Sequence, residues 1–186
     1  GMDGVNSVAN TKVTGEISAS IQRNPFAMLV SIDVDVEVPL VLEGGGGIQF
    51  FMNKTESNLA WGIVGHTHVD LFGGLLTGGA EFLAGNPGFM LQVDVGLHLD
   101  IAIIKVESNV SGAIWAITDP GYQFPFGAYV TFDAQATVLL VTISAKAQAA
   151  FVTRNPSGFE LFASVAGCVR ILGADECVAA WASIAN

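Results

Sequence analysis

The chain has 186 residues, of which 51% are hydrophobic and only 13% are charged, and its formal net charge is −10 at pH 7. This length fits one domain. The acidic balance argues against nucleic acid as a partner, because phosphate contacts need a basic surface. The sequence contains no uncharged apolar run of about 18 residues or more, so we expect no transmembrane helix.

A turn in which Asn or Asp precedes Pro, with an aromatic residue shortly after, recurs along the chain. It occurs at Asn24-Pro25-Phe26, Asn86-Pro87-Gly88-Phe89, Asp119-Pro120-Gly121-Tyr122 and Asn155-Pro156-Ser157-Gly158-Phe159. The prolines lie 62, 33 and 36 residues apart, and a degenerate turn at 53–58 divides the first interval. A recurring interval of this size indicates one supersecondary unit that has been repeated.

Each unit predicts two strands. After each Pro turn, apolar and polar residues alternate for about twelve residues, which is typical of a strand with one buried face. In the first unit Met28 and Val30 share the apolar side, whereas Ser31 and Asp33 share the other. The returning strand has smaller side chains, as in the segment 143–151. We therefore expect an antiparallel arrangement in which bulky and Ala-rich strands alternate.

Apolar corners connect the two strands of a unit, at 41–47, 71–74, 103–105, 139–141 and 171–173. Some of them contain no Gly, Asn or Pro, which two-residue hairpin turns normally need. We therefore interpret the corners as arches that tuck into the end of a core, and the run from Gly44 to Gly47 as part of the first corner. Val95, on the apolar side of its strand, is then expected to be buried, and Val95→Asp to unfold the chain.

These patterns predict an all-β fold, an antiparallel meander of about 10–11 strands built from ~33-residue two-strand repeats. The apolar side must be covered, so we expect the sheet to close or curl as a barrel, with a two-sheet sandwich or a β-solenoid as alternatives. We interpret residues 1–11 as a cloning remnant and flexible N-terminus, and 12–186 as a single domain. The segment 175–184 fits either a final strand or a short helix that Asp175 caps.

Three histidines form the best candidate for a metal site. His66 and His68 are two residues apart, so they share one side of a strand, and His98 occupies the matching position of the next unit. If the units stack in register, the three side chains could bind Zn²⁺. Polar residues such as Asp35 and Glu37 fill these positions in the first unit, so the simpler interpretation is a solvated polar surface. We expect triple replacement of the histidines by Ala to leave stability nearly unaltered.

Two further sets of residues carry weaker signals. Asp and Glu residues of the polar sides could bind Ca²⁺ or form a carboxylate pair for glycoside hydrolysis, but their solvated positions favour neither role. Cys168 and Cys177 are nine residues apart around a Gly-Ala-Asp turn, which predicts a local disulfide. That disulfide would fit a secreted or cell-surface protein.

Basic and aromatic residues gather near the Pro turns and could contact a protein, a glycan or another copy of the chain. They are Arg23, Lys54, Arg154, Phe124 and Phe126. We find no catalytic motif and expect neither an enzyme nor a cofactor. The repeat without convergent polar chemistry favours a structural or adhesive module. The alternative is a carrier that holds an apolar ligand, such as a lipid, inside a closed sheet.

Overall fold

The structure is a computed structural model, and it describes residues 11–186. Residues 1–10, which hold nearly all of the expected flexible N-terminus, lie outside the described part. The rest folds into eleven strands: β1 Lys12–Arg23, β2 Phe26–Val38, β3 Leu42–Lys54, β4 Leu59–Leu71, β5 Leu76–Gly85, β6 Gly88–Ile101, β7 Ile104–Ile117, β8 Phe126–Val138, β9 Val141–Thr153, β10 Phe159–Ile171 and β11 Ala174–Ala185.

The strands form one antiparallel sheet in chain order, from β1 to β11. The all-β meander of two-strand units is therefore confirmed. The segment 175–184 is a strand, because it pairs with β10 over its whole length. No helix long and apolar enough to cross a membrane occurs among residues 11–186.

The sheet is open. Within the described residues each strand contacts only the strands before and after it in the chain, and β1 does not pair with β11. A closed barrel, a sandwich and a solenoid all need contacts between strands that are distant in the chain. The described residues therefore form an open or curled meander: of the closed or curled barrel that we expected, closure does not occur, and a curled sheet is consistent with the structure.

An open single-layer sheet leaves no interior. No hydrophobic side chain of residues 11–186 is buried, and Val95, which we expected in a core, is 45% exposed. That expectation is wrong because alternation shows which side of a strand is apolar but not what covers it. The same reason removes the basis for expecting Val95→Asp to unfold the chain.

The corners are tight turns and not arches. Three of them place two residues between paired strand ends, Ile101 with Ile104, Val138 with Val141 and Ile171 with Ala174. In all five corners one residue other than glycine adopts a positive φ between 51° and 65°: Leu40, Phe72, Ala102, Leu139 and Leu172. The turn geometry that we expected only from Gly or Asn is thus adopted by apolar residues.

The glycine run 44–47 is also placed differently from our expectation. It lies inside β3, where it pairs with β2 on one side and with β4 on the other. Glycine is depleted in strands, so local propensity alone predicts a turn here. Pairing on both sides overrides this preference. Because glycine has no side chain, side chains of β2 and β4 can occupy the space above β3.

Candidate functional site

The register of the sheet separates two faces. Residues directly opposite each other in neighbouring strands point to the same side, so one row can be followed from β1 to β11. On the side that we call the apolar face, one such row contains Ile17, Ile32, Ile48, Gly65, Phe82, Leu91, Ile114, Ala128, Phe151, Leu161 and Ile184. The opposite side is called the polar face, and its adjacent row includes Glu16, Asp33, His66, Glu81 and Gln92.

The apolar face is almost free of hydrogen-bonding side chains. Following the same register, its polar members among the eleven strands are Arg23, Lys54, Thr67, Ser108, Thr153 and Glu176. Arg23 and Lys54 stand at its edge, where the Pro turns are. No described residue covers the face, and Ile17, Val165 and Ile184 are all more than half exposed.

A cleft of about 360 Å³ lies on the apolar face across β2 to β5. Ile32, Val34, Ile48, Thr67 and Phe82 line it. Its floor is low because Gly46 and Ala80 carry little or no side chain at this level. The Phe82 ring lies over Gly65, its direct cross-strand partner, where a Cβ would overlap with the ring. The aromatic ring over glycine thus forms one wall of the cleft.

On the polar face, two aspartates of β2 and two histidines of β4 lean over the glycines of β3. Asp33 Oδ1 lies 3.9 Å from His66 Nε2 across Gly47. Asp35 and His68 both approach the place where a Cβ of Gly45 would be, with His68 Cε1 3.2 Å from it. Both histidines are exposed. The glycine run therefore brings Asp33 close to His66 and leaves space at Gly45 into which Asp35 and His68 both extend.

The third histidine stands apart from the other two. His98 lies on β6, with β5 between it and β4, and its Nδ1 is 3.3 Å from Glu107 Oε1 of β7. Within residues 11–186 no group of three or more His, Cys, Asp or Glu side chains is arranged to hold a metal ion. The zinc site of His66, His68 and His98 stays a prediction, and the placement of His98 does not favour it.

Most other acids of the polar face have partners. Asp100 pairs with Lys105 at 2.9 Å and Asp133 with Lys146 at 2.8 Å. In each case the hydrogen bond to the carboxylate, followed by its charge, raises the pKa of the lysine. Asp70 Oδ1 accepts a hydrogen bond from the Gly74 amide at 2.5 Å. These carboxylates thus stabilise turns and cross-strand contacts.

The predicted contact residues at the Pro turns are partly engaged within the sheet. Arg154 forms an ion pair with Glu160. The Phe126 ring packs edge-on against Phe151, with centroids 6.2 Å apart. The main-chain oxygen of Phe124 accepts a hydrogen bond from Trp115 Nε1 at 3.1 Å.

The predicted disulfide is present. Cys168 and Cys177 lie directly opposite each other in β10 and β11 and are bonded. Beside them Arg170 donates two hydrogen bonds to Asp175, from Nε at 2.6 Å and from Nη2 at 3.0 Å. The disulfide and the Arg170–Asp175 hydrogen bonds, four residues in all, thus hold β11 to β10.

Comparison with known proteins adds no relative. No protein-family model matches the chain, and neither the curated proteins nor the solved structures contain a match. The apolar face is the feature that sequence reasoning missed as a site. Its signal was present in the sequence, because every predicted strand has an apolar side.

Proposed function

We propose that this chain is a non-enzymatic module that binds apolar ligands, the acyl chains of lipids, along its apolar face. The observation that carries the proposal is the continuity of this face across eleven strands with no described residue over it. Apolar surface of this extent is driven out of water, and large exposed patches mark binding surfaces. The bound ligand therefore covers the apolar face, as the second sheet does in a β-sandwich.

The chemistry of the face favours acyl chains over a protein partner. Strands of about twelve residues at 3.3 Å per residue, eleven of them 4.8 Å apart, give a face of roughly 2,000 Å². A protein interface of that size would contain about ten or more hydrogen bonds. The apolar face offers six polar side chains, and three of them, Arg23, Lys54 and Thr153, lie at its Pro-turn edge. Acyl chains need no such partners, so they match the face better.

The cleft across β2 to β5 supplies a starting point for binding. Its volume of about 360 Å³ lies in the range of small-molecule sites, and its lining is apolar apart from Thr67 and His66, whose side chain lies on the polar face. A chain lying between Ile32, Ile48 and Phe82 would be enclosed on its sides and open above. This geometry suits a flexible apolar chain more than a rigid polar ligand.

The test is binding of oleate followed by native mass spectrometry and by competition with a fluorescent fatty acid. Ile48→Asp places a charge on the cleft wall, and we expect it to weaken oleate binding at least tenfold, since a carboxylate resists burial against an acyl chain. Gln49→Asp is the matched control, because Gln49 is the next residue of β3 and lies on the polar face. Equal oleate binding by both variants and the parent would refute the proposal.

A structural or adhesive repeat module is the second candidate. The observation that favours it is the regular repetition of hairpins with strands of 10 to 14 residues, whose outer edges at β1 and β11 have no partner among the described residues. Such edges can add strands. A ligand-free ladder of oligomers in native mass spectrometry would support this candidate, and contacts through Arg23 or Lys54 would then be examined.

Secretion or cell-surface display is part of the same proposal. The Cys168–Cys177 disulfide is typical of oxidising compartments. Reaction of the freshly purified, unreduced protein with a thiol reagent tests this point. Full labelling of both cysteines without prior reduction would argue against an oxidising compartment.

A further inference from the structure

The five corners expose apolar residues at one end of the sheet. We call these residues the corner tips: Leu40, Phe72, Ile103, Leu139 and Leu172. Leu40 is 93% exposed and Leu172 is 76% exposed. Every second connection of a meander lies at the same end, so the tips form one row along the edge of the sheet. A row of five exposed apolar tips is unusual for a surface that faces only water.

The backbone at the corners gives these positions a second peculiarity. Leu40, Phe72, Leu139 and Leu172 adopt a positive φ, which Gly and Asn adopt with less strain. In water, Asn or Gly would be more favourable at these positions, because both adopt a positive φ readily and neither exposes a large apolar side chain. The chain instead has residues that are unfavourable for both, which indicates that these side chains meet an apolar environment.

Main-chain hydrogen bonds hold the tips in two groups, Leu40 with Phe72 and Ile103 with Leu139 and Leu172. The amide of Phe72 donates to the Val41 carbonyl at 2.9 Å, that of Leu139 to Ile103 at 3.1 Å, and that of Leu172 to Leu140 at 3.3 Å. Each bond joins two neighbouring corners. Between the second and third corners the described residues form no such bond, because β6 extends four residues, to Ile101, past its last pairing with β5 at Leu97. Each group can therefore engage a surface at two or three tips together, and the contributions of these tips then combine.

Charges near the corners indicate which apolar surface fits. Asp100 and Asp175 are neutralised by Lys105 and Arg170. Around the first two corners Glu37, Glu43 and Asp70 form no ion pair within residues 11–186. A negative surface would repel this region, whereas a neutral lipid headgroup layer would not.

We infer that the corner tips insert into the surface of a neutral lipid bilayer, so that the sheet binds the bilayer through its corner end. The apolar face begins at the tips, so acyl chains could pass from the bilayer to the face without crossing water. This second step depends on the proposed function, whereas the docking itself does not.

The experiment is flotation with phosphatidylcholine vesicles, using the parent protein and the triple variant L40N/L139N/L172N. Asn fits a positive φ, so the variant is expected to fold at least as stably as the parent. We expect its partition into vesicles to fall by about tenfold for each tip replaced. Vesicles that also contain phosphatidylserine are expected to bind the parent less well. Ser157→Asn, in a turn at the opposite end, is the control and should leave partition unchanged.

Two results would overturn the inference: no binding of the parent to phosphatidylcholine vesicles, or equal binding by the parent and the triple variant. Oleate binding is measured on the same samples to separate this inference from the proposed function. Oleate binding without vesicle binding would refute docking alone. Vesicle binding that depends on the tips, without oleate binding, would refute the role of the apolar face alone.

Discussion

The two ends of the sheet connect neighbouring strands with different types of residue. At the Pro-turn end every connection contains Asn or Asp, and most contain Pro, Ser or Gly as well, residue types that favour turns and are compatible with water. At the corner end the connections consist mostly of Leu, Val, Ile, Ala and Phe, with one residue of each in a strained backbone region. The same strands lead into both ends, so the strands themselves do not account for the difference.

The ends also differ in how neighbouring hairpins are joined. At the Pro-turn end side chains take part: Asn155 Nδ2 donates to the Pro120 carbonyl at 2.7 Å, and Thr118 Oγ1 donates to the Asn86 carbonyl at 2.8 Å. At the corner end main-chain bonds alone join adjacent corners. Substitutions should therefore destabilise the Pro-turn end, whereas many should be neutral or favourable at the corners.

The largest effect is expected near the Pro-turn end, for Gly127→Val. A Cβ on Gly127 would overlap with the Trp115 ring, and that ring is held by its hydrogen bond to the Phe124 carbonyl. Displacing the ring should lower the free energy of unfolding by about 2–3 kcal/mol in urea denaturation. Gly167→Val is the matched control, because the nearest atom to its Cβ would be 3.7 Å away. Equal destabilisation by both variants would show that Trp115 is free to move.

A smaller loss is expected for Asn86→Ala. Asn86 Oδ1 accepts the amide proton of Trp61, and alanine leaves that donor without its partner. Unfolding free energy should fall by about 1 kcal/mol. In Asn58→Ala the turn should keep its bonds, because the Thr55 amide and hydroxyl both donate to the main-chain oxygen of Asn58. If the two variants melt at the same temperature, the side chain of Asn86 contributes nothing beyond the backbone.

The contrast between the ends also shows what the sequence could predict. The Pro turns and the disulfide could be predicted because each depends on residues that are close together in the chain. Asn24 and Pro25 are adjacent, and Cys168 and Cys177 are nine residues apart. The corners were misread because Leu139 and Leu140 show no turn preference of their own, and only the pairing of β8 with β9 brings them into a tight turn. Segment 175–184 was ambiguous because its alanines favour a helix, whereas pairing with β10 imposes a strand.

The candidate site was less predictable than the fold. Alternation identified Val95 and its neighbours as apolar, but it carried no information about what lies over them. The Asp33–His66 pair and the approach of Asp35 and His68 to Gly45 depend on glycines 45 and 47 lying within β3, a placement that local glycine propensity does not predict. Both features depend on the register in which neighbouring strands pair, and this register is known only when the whole sheet is known.

At the corner end the stability change should have the opposite sign. Leu139→Asn relieves a positive φ of 55° and removes an exposed apolar side chain, so unfolding free energy should rise by about 0.5–1 kcal/mol. Leu140→Asn provides the control, because Leu140 is equally exposed at 67% but is not among the residues with positive φ. A stabilisation shared by both variants would assign the effect to exposure and not to the backbone.

The smallest effect is a pH dependence at the last corner. The hydrogen bonds from Arg170, aided by its charge, lower the pKa of Asp175 below the ordinary 3.8. Because the folded state binds the proton less readily than the unfolded state, the pair stabilises the fold above that value. This contribution should disappear as the pH falls through the lowered pKa. The pair is exposed and screened by salt, and the disulfide independently holds β11 to β10, so the change should be small.

Comparison of Asp175→Asn with the parent isolates this contribution. Urea denaturation between about pH 5 and pH 2 should show the two stability curves converging at the acid end, because the other carboxylates titrate in both proteins. Added salt should bring the curves together at every pH. Parallel curves would mean that the Arg170–Asp175 pair does not stabilise the corner. The rigidity of the last tip would then depend on the disulfide and on the bond between Leu172 and Leu140.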